Sequence, residues 1–160
     1  MGPADSFIKL IKHPVKFRLL LLMKLPSAFF CGVRVQHISK DRAEVTVPYK
    51  WLSQNPFNST YFACLAMAAE MSTGLLSIIN IYKRQPAVSM LVTGLEAVYH
   101  KKATAITIFI CEDGLAIFNT IEDAIKTGEA KSFKAKSTGR NKHGELVAEF
   151  FITWSFKAKG

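Results

Sequence analysis

The sequence has few cysteines and no linker-like tract, and each shortage excludes a class of protein. Cys31, Cys64 and Cys111 are odd in number, widely spaced and set in apolar runs. This pattern is typical of buried free thiols in a reducing compartment, and it argues against a disulfide-stabilised secreted protein. We therefore expect a cytoplasmic location. No repeat, low-complexity tract or linker divides the chain, so we predict one domain over residues 1–160, with residues 1–30 as an N-terminal helical extension.

Histidine and acidic residues are scarce as well. The four histidines are dispersed, and no two cysteines have the spacing of metal ligands, so we expect no metal site. Lys and Arg number 21 against 12 Asp and Glu, which gives a net charge of +9. This excess favours an anionic partner such as nucleic acid, a membrane surface or a phosphorylated small molecule, and a solubilising surface is the ordinary alternative. No recognised RNA-binding motif occurs, so nucleic acid is the least favoured of these partners.

The apolar run near the N terminus, Phe17–Phe30, is too short to span a bilayer. Lys24 and Pro26 interrupt it. We favour a helix over residues 5–25 that packs on the domain, with Pro14 as the place where it would break. A contact of this helix with a membrane surface is the alternative, and a signal peptide is less favoured because the sequence continues directly into a strand-like pattern.

Six segments are rich in β-branched and aromatic residues or alternate between apolar and polar, which predicts strands. They are residues 32–39, 42–49, Ala87–Tyr99, Ala103–Glu112, Phe133–Lys142 and Leu146–Lys157. Residues 114–130 are ambiguous, because their first half has strand character and their second half suits a short helix or a loop.

A long apolar helix is predicted over about residues 60–83. Asn58 or Ser59 is the expected N-cap, since a side-chain oxygen there accepts from the first free amides. The helix is apolar nearly all round, so it should be enclosed by the rest of the domain. The element order therefore predicts an α+β protein whose antiparallel sheet wraps around one long central helix, preceded by an extra N-terminal helix.

Glu70 is the only charged residue between Trp51 and Tyr82. Burying an ionised carboxylate without partners is costly, and the usual response is a raised pKa. A moderate rise suits a general base at neutral pH. The ordinary alternative is a Glu that is hydrogen-bonded to backbone or paired with a Lys across a subunit interface.

The element order, together with the helix sequence, resembles the hotdog fold of thioesterases and related acyl-CoA enzymes. In the phenylacetyl-CoA-thioesterase-like branch an Asn precedes a His-Gly-Gly, and an acid follows further along the helix. Asn55 lies fifteen residues before Glu70, the usual spacing in that branch. The His-Gly-Gly falls on Tyr61-Phe62-Ala63 and is not kept, so the chain looks closest to an uncharacterised side branch. His100–Ala103 is similar to the family's hairpin between central strands.

The resemblance implies an acyl-CoA thioesterase. Glu70 would activate water as general base or attack the thioester as nucleophile. Asn55 would orient the water or the carbonyl, and Tyr61 would donate a hydrogen bond where the family has His. Ser89 stands where some members position water. The implied catalytic residues are Glu70, Asn55, Tyr61 and Ser89.

Further residues are candidates for binding the substrate. Amides at the helix start, near Phe62 and Ala63, would polarise the thioester carbonyl. Five cations and no acid lie between Lys131 and Lys142, which suits the phosphates of CoA. A solvated charged edge explains these cations equally well. The implied substrate-binding residues are Asn58, Thr60, Phe62, Ala63, Thr73, Lys136, Arg140 and Lys142, although Asn58 and Thr60 also suit helix caps.

No cofactor is expected beyond the CoA thioester, which is the substrate, and an acyl-carrier protein could replace CoA. The resemblance also implies a homo-oligomer, a dimer or tetramer with sites at the interface. A non-catalytic acyl-CoA or lipid carrier is the alternative function, favoured by the loss of His-Gly-Gly. A hydratase would need a His beside the acid, and no His lies between His37 and His100.

Overall fold

The computed structural model describes residues 2–160, which form one six-stranded antiparallel sheet, five α-helices and one short 3₁₀ helix. The α-helices are α1 (Pro3–Lys12), α2 (Pro14–Lys24), α3 (Pro26–Cys31), α4 (Phe62–Ile81) and α5 (Gly114–Thr127). The strands are β1 (Arg34–Ile38), β2 (Ala43–Val47), β3 (Val88–Tyr99), β4 (Thr107–Cys111), β5 (Lys131–Asn141) and β6 (Leu146–Ala158). The 3₁₀ helix is Trp51–Ser53.

The sheet has the strand order β1-β2-β4-β5-β6-β3, and every neighbouring pair is antiparallel. The long helix α4 packs against β2, β4, β5 and β6. This arrangement confirms the predicted hotdog architecture, in which the sheet wraps around one central helix. The edges of the sheet are β1 and β3, and β3 pairs with β6 alone.

Small residues let α4 approach the sheet closely. Ala68, Ala69 and Ser72 are fully buried, and the Ser72 hydroxyl hydrogen-bonds the Ser137 hydroxyl of β5 at 2.7 Å. Among residues 2–160, α4 is the one helix long and apolar enough to span a membrane by length and composition, but most of it is enclosed in the domain. Its apolar surface is therefore the core of the fold, as predicted.

Proline divides the N-terminal extension into three helices rather than the single helix predicted. Pro3, Pro14 and Pro26 each stand at the first position of a helix, where a missing N–H costs nothing. Phe7, Ile11, Phe17 and Leu21 are buried against the domain. The prediction that this segment packs on the domain is confirmed. The helix breaks at Pro14, as expected, and a second break occurs before Pro26.

Other predictions need correction. The helix α4 starts after Tyr61, which caps it without a side-chain hydrogen bond, so the caps predicted at Asn58 or Ser59 are wrong. The ambiguous segment 114–130 contains a full helix, α5. His100–Ala103 is not in a hairpin, because β3 and β4 are not neighbours in the sheet.

The three cysteines are free thiols, as predicted. Cys31 is half-buried, whereas Cys64 and Cys111 are buried. The Sγ atoms of Cys31 and Cys64 are 3.4 Å apart, and burial raises the pKa of the Cys64 thiol to about 12. The thiols therefore behave as small core residues at neutral pH.

Candidate functional site

Glu70 lies near the middle of α4, on the side that faces the N-terminal helices. It borders two adjoining cavities of about 290 and 260 Å³. The first lies beside the link between α2 and α3, where Lys24, Leu25 and Pro26 form its wall together with Met67 and Met71. The carboxyl group is thus placed in an apolar recess that opens beside the N-terminal helices.

The second cavity extends from Glu70 along α4 under α1 and α2. Its lining is almost entirely apolar, and Lys24 is the one cation in it. The remaining lining residues are Phe7, Phe17, Leu20, Leu21, Leu25, Met71, Gly74, Leu75 and Ile78. An extended apolar group could therefore lie beside the Glu70 carboxyl.

The Glu70 carboxyl group makes no hydrogen bond or ion pair with any other side chain or backbone group of residues 2–160. Only its backbone carbonyl is engaged, since it accepts a hydrogen bond from the Thr73 hydroxyl at 3.0 Å. Burial without a compensating partner raises the pKa of this carboxyl above its usual range. Glu70 therefore has the unpaired carboxyl and the raised pKa that the sequence predicted, but it is half-buried rather than fully enclosed.

Gly74 lies one turn after Glu70 and leaves room for its carboxyl group. A Cβ at position 74 would lie 3.2 Å from Glu70 Oε1 and 3.2 Å from Trp154 Cζ2. Trp154, on β6, is buried and donates its indole N–H to Thr73 Oγ1 at 2.9 Å. Since the Thr73 hydroxyl is buried and holds Trp154, the structure gives Thr73 a packing contact rather than a place in the Glu70 cavities.

The loop before α4 is closed by Asn55. The Asn55 side-chain oxygen accepts from the amides of Phe57 at 2.9 Å and Ser59 at 3.2 Å, and its NH₂ group donates to Ser59 Oγ at 3.0 Å. Thr60 is tied to the segment before β4, because its amide and hydroxyl both donate to the Ala103 carbonyl. The polar groups of Asn55 and Thr60 are therefore engaged in shaping this loop.

The first amides of α4 are free. Within residues 2–160, the N–H groups of Phe62 and Ala63 meet no acceptor, whereas Cys64 N and Leu65 N both donate to the Tyr61 carbonyl. Free amides at a helix start suit a developing oxyanion. The side chains of Tyr61 and Phe62 are exposed and pack edge to face, with ring centroids 4.9 Å apart.

A separate cavity of about 540 Å³ lies at this helix start. It contains Asn55, Tyr61 and Phe62, and its basic rim is formed by Lys101 and Lys102. Glu70 lines the two cavities under the N-terminal helices and Asn55 lines the cavity at the helix start, and none of these three contains both residues. One chain therefore holds the acid and the free amides in two different recesses. Asn58 is exposed in the same loop, with a φ of 58°.

Ser89 and the basic residues lie apart from Glu70. Ser89 is exposed on the edge strand β3, and its hydroxyl donates to the Lys157 carbonyl. Lys136 pairs with Glu149 at 2.7 Å, and Arg140 donates to the Gly144 carbonyl at 2.9 Å. Lys142 is exposed in the turn that follows β5. Two of the three basic candidates are thus partly engaged within the chain.

Sequence reasoning missed Lys24, Met67, Met71, Gly74 and Trp154 as neighbours of Glu70. Two of these had a usable signal, since Met67 and Gly74 stand three before and four after Glu70 on the same helix face, whereas Met71 is the next residue and its spacing gives no such signal. Lys24 and Trp154 come from distant parts of the chain, and no local pattern marks them. Among residues 2–160, no cluster of His, Cys, Asp or Glu could hold a metal ion.

Several solved structures have the same fold at low sequence identity. A protein of unknown function from Pseudomonas aeruginosa, described as a probable thioesterase, is 16% identical, with 99% of this chain and 97% of that chain covered at a TM-score of 0.73. A protein of unknown function from Chlorobaculum tepidum is 15% identical, with 98% and 97% covered at a TM-score of 0.78. A thioesterase from Haemophilus influenzae is 12% identical, with 89% of each chain covered at a TM-score of 0.63.

At these identities the similarity establishes the fold alone, and it agrees with the predicted hotdog fold. No curated protein matches the chain significantly. A family model matches residues 15–156, which include Glu70, the loop of Asn55, strands β1 to β5 and most of β6. The chain therefore belongs to the family described as a domain of unknown function, DUF4442.

Proposed function

We propose that the protein is an acyl-CoA thioesterase in which Glu70 is the general base or the nucleophile. The observation that carries the proposal is a carboxyl group that has no partner and borders an apolar cavity. Glu70 is half-buried, and taking a carboxylate partly out of water without a partner costs free energy that a paired or apolar side chain would not cost. The description of some structural neighbours as thioesterases supports the same reaction class.

Two routes fit this carboxyl group. In the first, Glu70 takes a proton from water as the water oxygen attacks the thioester carbonyl, and the C–S bond then breaks and the CoA sulfur is protonated. In the second, the Glu70 oxygen itself attacks, CoA thiolate leaves, and water hydrolyses the resulting anhydride. A raised pKa favours the first route, because it makes Glu70 a stronger base.

The oxyanion of either route needs donors, and the free amides of Phe62 and Ala63 are suitable. Since these amides and Glu70 lie in different recesses of one chain, we propose that a second copy supplies the missing half of each site. The edge strand β3 suits pairing between copies, because it is twelve residues long and exposes Leu91, Leu95 and Tyr99. The proposed active form is thus a homo-oligomer.

The basic residues would bind the phosphates of CoA. Lys136 and Arg140 lie on β5, and Lys142 follows the end of that strand. Lys142 makes no ion pair within residues 2–160 and is free for this role. Lys101 and Lys102 add positive charge beside the amides of α4. Because these groups are exposed, their contribution should fall as salt rises. The reaction needs no cofactor, and a cytoplasmic location would supply the thioester substrate.

The experiment is a panel of acyl-CoA thioesters of increasing chain length, read by release of free thiol. We expect turnover by the natural protein and turnover that is slower by about 100-fold or more in Glu70→Gln. The matched control is Glu129→Gln, which makes the same change at an exposed loop position. If folded Glu70→Gln releases thiol as fast as the natural protein, Glu70 takes no part in the reaction.

A second function is favoured by one observation: the Asn55 side chain is engaged by its own loop and is not directed at Glu70. A chain without a water-orienting amide could bind acyl-CoA or lipid and release no product. Such a carrier would retain acyl-CoA in equilibrium dialysis and show no turnover across the panel.

A further inference from the structure

The helix α2 is apolar on two opposite sides. Phe17 and Leu21 point inward and are buried. The opposite side carries Val15, Leu19, Leu22 and Met23, which are 59%, 52%, 38% and 70% exposed. We call these four residues the outer face of α2. Their spacing, i, i+4, i+7 and i+8, makes one continuous stripe along the helix.

An apolar stripe of this kind needs a cover. A helix that is apolar all round is normally enclosed, as α4 is, whereas α2 lies at the surface with one side open to water. The neighbouring helix α1 follows the ordinary pattern, with Phe7 and Ile11 inward and Lys9 and Lys12 outward. The outer face of α2 is therefore a specific feature of that helix.

Unpaired cations lie on α2 and at the end of α1. Lys12, Lys16 and Lys24 are exposed, and none of them makes an ion pair within residues 2–160. Residues 2–50 carry nine cations and three acids, which is two thirds of the net charge of the whole chain. Two further apolar side chains at the surface follow α2 directly, since Leu25 is 49% exposed and Phe30 is 53% exposed.

We propose that the outer face of α2 docks on an anionic lipid surface. Apolar side chains flanked by lysines form the pattern of a helix that lies in the membrane interface, where the apolar residues enter the acyl boundary and the lysines reach the head groups. Docking would bury the stripe, and the long side chains of Lys12 and Lys16 would reach the head groups.

A second copy of this chain is a poorer occupant of the same face. A two-fold contact through α2 would bring the unpaired lysines of both copies together, and such like-charge contacts oppose association. The apolar edge strand β3 already offers a surface for pairing copies, and it carries Glu96 as its one charged residue. Charge complementarity thus assigns β3 to self-association and α2 to an anionic surface.

Docking would also hold the Glu70 cavities near the lipid, on the inner side of α2. Leu20 and Leu21 line the second cavity, and Lys24 and Leu25, which are exposed at the end of α2, border both cavities. Long-chain acyl thioesters partition into membranes because each buried methylene favours transfer out of water. This link to the substrate rests on the proposed function, whereas the docking itself does not.

The test is sedimentation of the full chain with vesicles in the absence of any acyl-CoA. We expect binding to equimolar phosphatidylcholine and phosphatidylserine that is about tenfold stronger than binding to phosphatidylcholine alone. Added salt should weaken it. Equal binding to the two vesicle types, or none to either, would overturn the proposal.

The deciding variant is Leu19→Glu/Met23→Glu, which places two carboxylates on the outer face and should lower vesicle binding about tenfold or more. The matched control is Leu115→Glu, at a position of α5 that is 64% exposed, and it should bind as the natural protein does.

Unchanged binding in the double variant would overturn the proposal. So would a change in its oligomeric size by light scattering, because the face would then be an interface between copies. Circular dichroism and thiol release from a short, soluble acyl-CoA check the fold and are expected to be unchanged, so that loss of docking is distinguished from loss of activity.

Discussion

Asn55 and Glu70 differ in whether their polar side chains are hydrogen-bonded within the chain. Asn55 is engaged through both its oxygen and its NH₂ group, by the amides of Phe57 and Ser59 and by the Ser59 hydroxyl. The Glu70 carboxyl has no such partner and borders apolar cavities. The hydrogen bonds of Asn55 therefore stabilise the loop, whereas the unpaired carboxyl group of Glu70 lowers the free energy of unfolding.

This difference separates residues that shape the fold from a residue that is available for chemistry. Thr73 belongs with Asn55, because its hydroxyl holds the indole of Trp154. The free amides of Phe62 and Ala63 belong with Glu70. Substitutions can therefore test the division, since the first group should mainly affect stability and the second mainly activity.

The largest effect is expected for Glu70→Gln. We expect kcat/KM for acyl-CoA to fall about 100-fold or more, because the amide can neither accept a proton nor attack the thioester. Stability should not fall. The pKa of Glu70 is raised in the folded chain, so protonated Glu70 favours folding below its unfolded pKa, and that advantage is lost as pH rises through the folded pKa.

Thermal unfolding at several pH values measures the second part of this prediction. Glu70→Gln should be at least as stable as the natural protein at neutral pH, and the difference should shrink near pH 4, about the value for an ordinary Glu. A variant that is clearly less stable at neutral pH would indicate that the Glu70 carboxylate has a stabilising partner.

The next effect is expected for Asn55→Ala. The variant loses the several hydrogen bonds that the Asn55 side chain makes within its loop, so its free energy of unfolding should fall by about 2–3 kcal/mol. Denaturant unfolding measures the change. Activity at a temperature where the variant stays folded should fall much less than in Glu70→Gln. A loss of activity as large as that of Glu70→Gln, at unchanged stability, would place Asn55 in the catalytic group and break the comparison.

Gly74 offers a graded test of the space beside Glu70. Gly74→Val should lower kcat/KM about tenfold. A Cβ alone would already lie 3.2 Å from Glu70 Oε1 and from Trp154 Cζ2, so the two methyl groups of Val would displace the Glu70 carboxyl or the Trp154 ring. Gly74→Ala is the matched control, and its Cβ would lie 3.2 Å from both Glu70 Oε1 and Trp154 Cζ2, which a shift of a few tenths of an ångström relieves, so its activity should change little. Equal activity in both variants would mean that the Glu70 recess is not used.

Thr73→Val should cost about 1–2 kcal/mol in the free energy of unfolding, since it leaves the buried Trp154 N–H without an acceptor. Its KM for acyl-CoA should stay within about twofold of the natural value. Trp154→Phe, which removes the donor as well, is the partner variant of a double-mutant cycle. A large KM change in Thr73→Val at full stability would favour the substrate contact that the sequence suggested.

The sequence predicted the parts of the fold that local patterns determine. The alternation in β1 and β2 and the uniform apolar character of α4 led to the sheet and to its central helix, and the isolation of Glu70 in that helix led to the candidate acid. The helix α5 was ambiguous because its first residues, Gly114–Thr120, also have strand character, and only packing against α4 and the sheet decides for helix.

The cover of Glu70 could not be predicted, because it depends on contacts between distant parts of the chain. Lys24 and Leu25 reach Glu70 only after Pro26 breaks the N-terminal segment a second time. The structural use of Asn55 was equally hidden, since the same Asn followed by Pro fits a turn or a catalytic amide. Spacing alone brought Asn55 and Glu70 into one hypothesis, and the folded chain puts them in separate recesses.

The pH dependence of kcat/KM for one acyl-CoA substrate tests the central role of Glu70 most directly. Activity should rise with pH along a single acid limb whose midpoint lies above the ordinary Glu value, because burial raises the pKa of the Glu70 carboxyl and only its ionised form is active. The residual activity of Glu70→Gln should lack that limb. The same limb in the natural protein and in Glu70→Gln would contradict the account, because another group would then control the reaction.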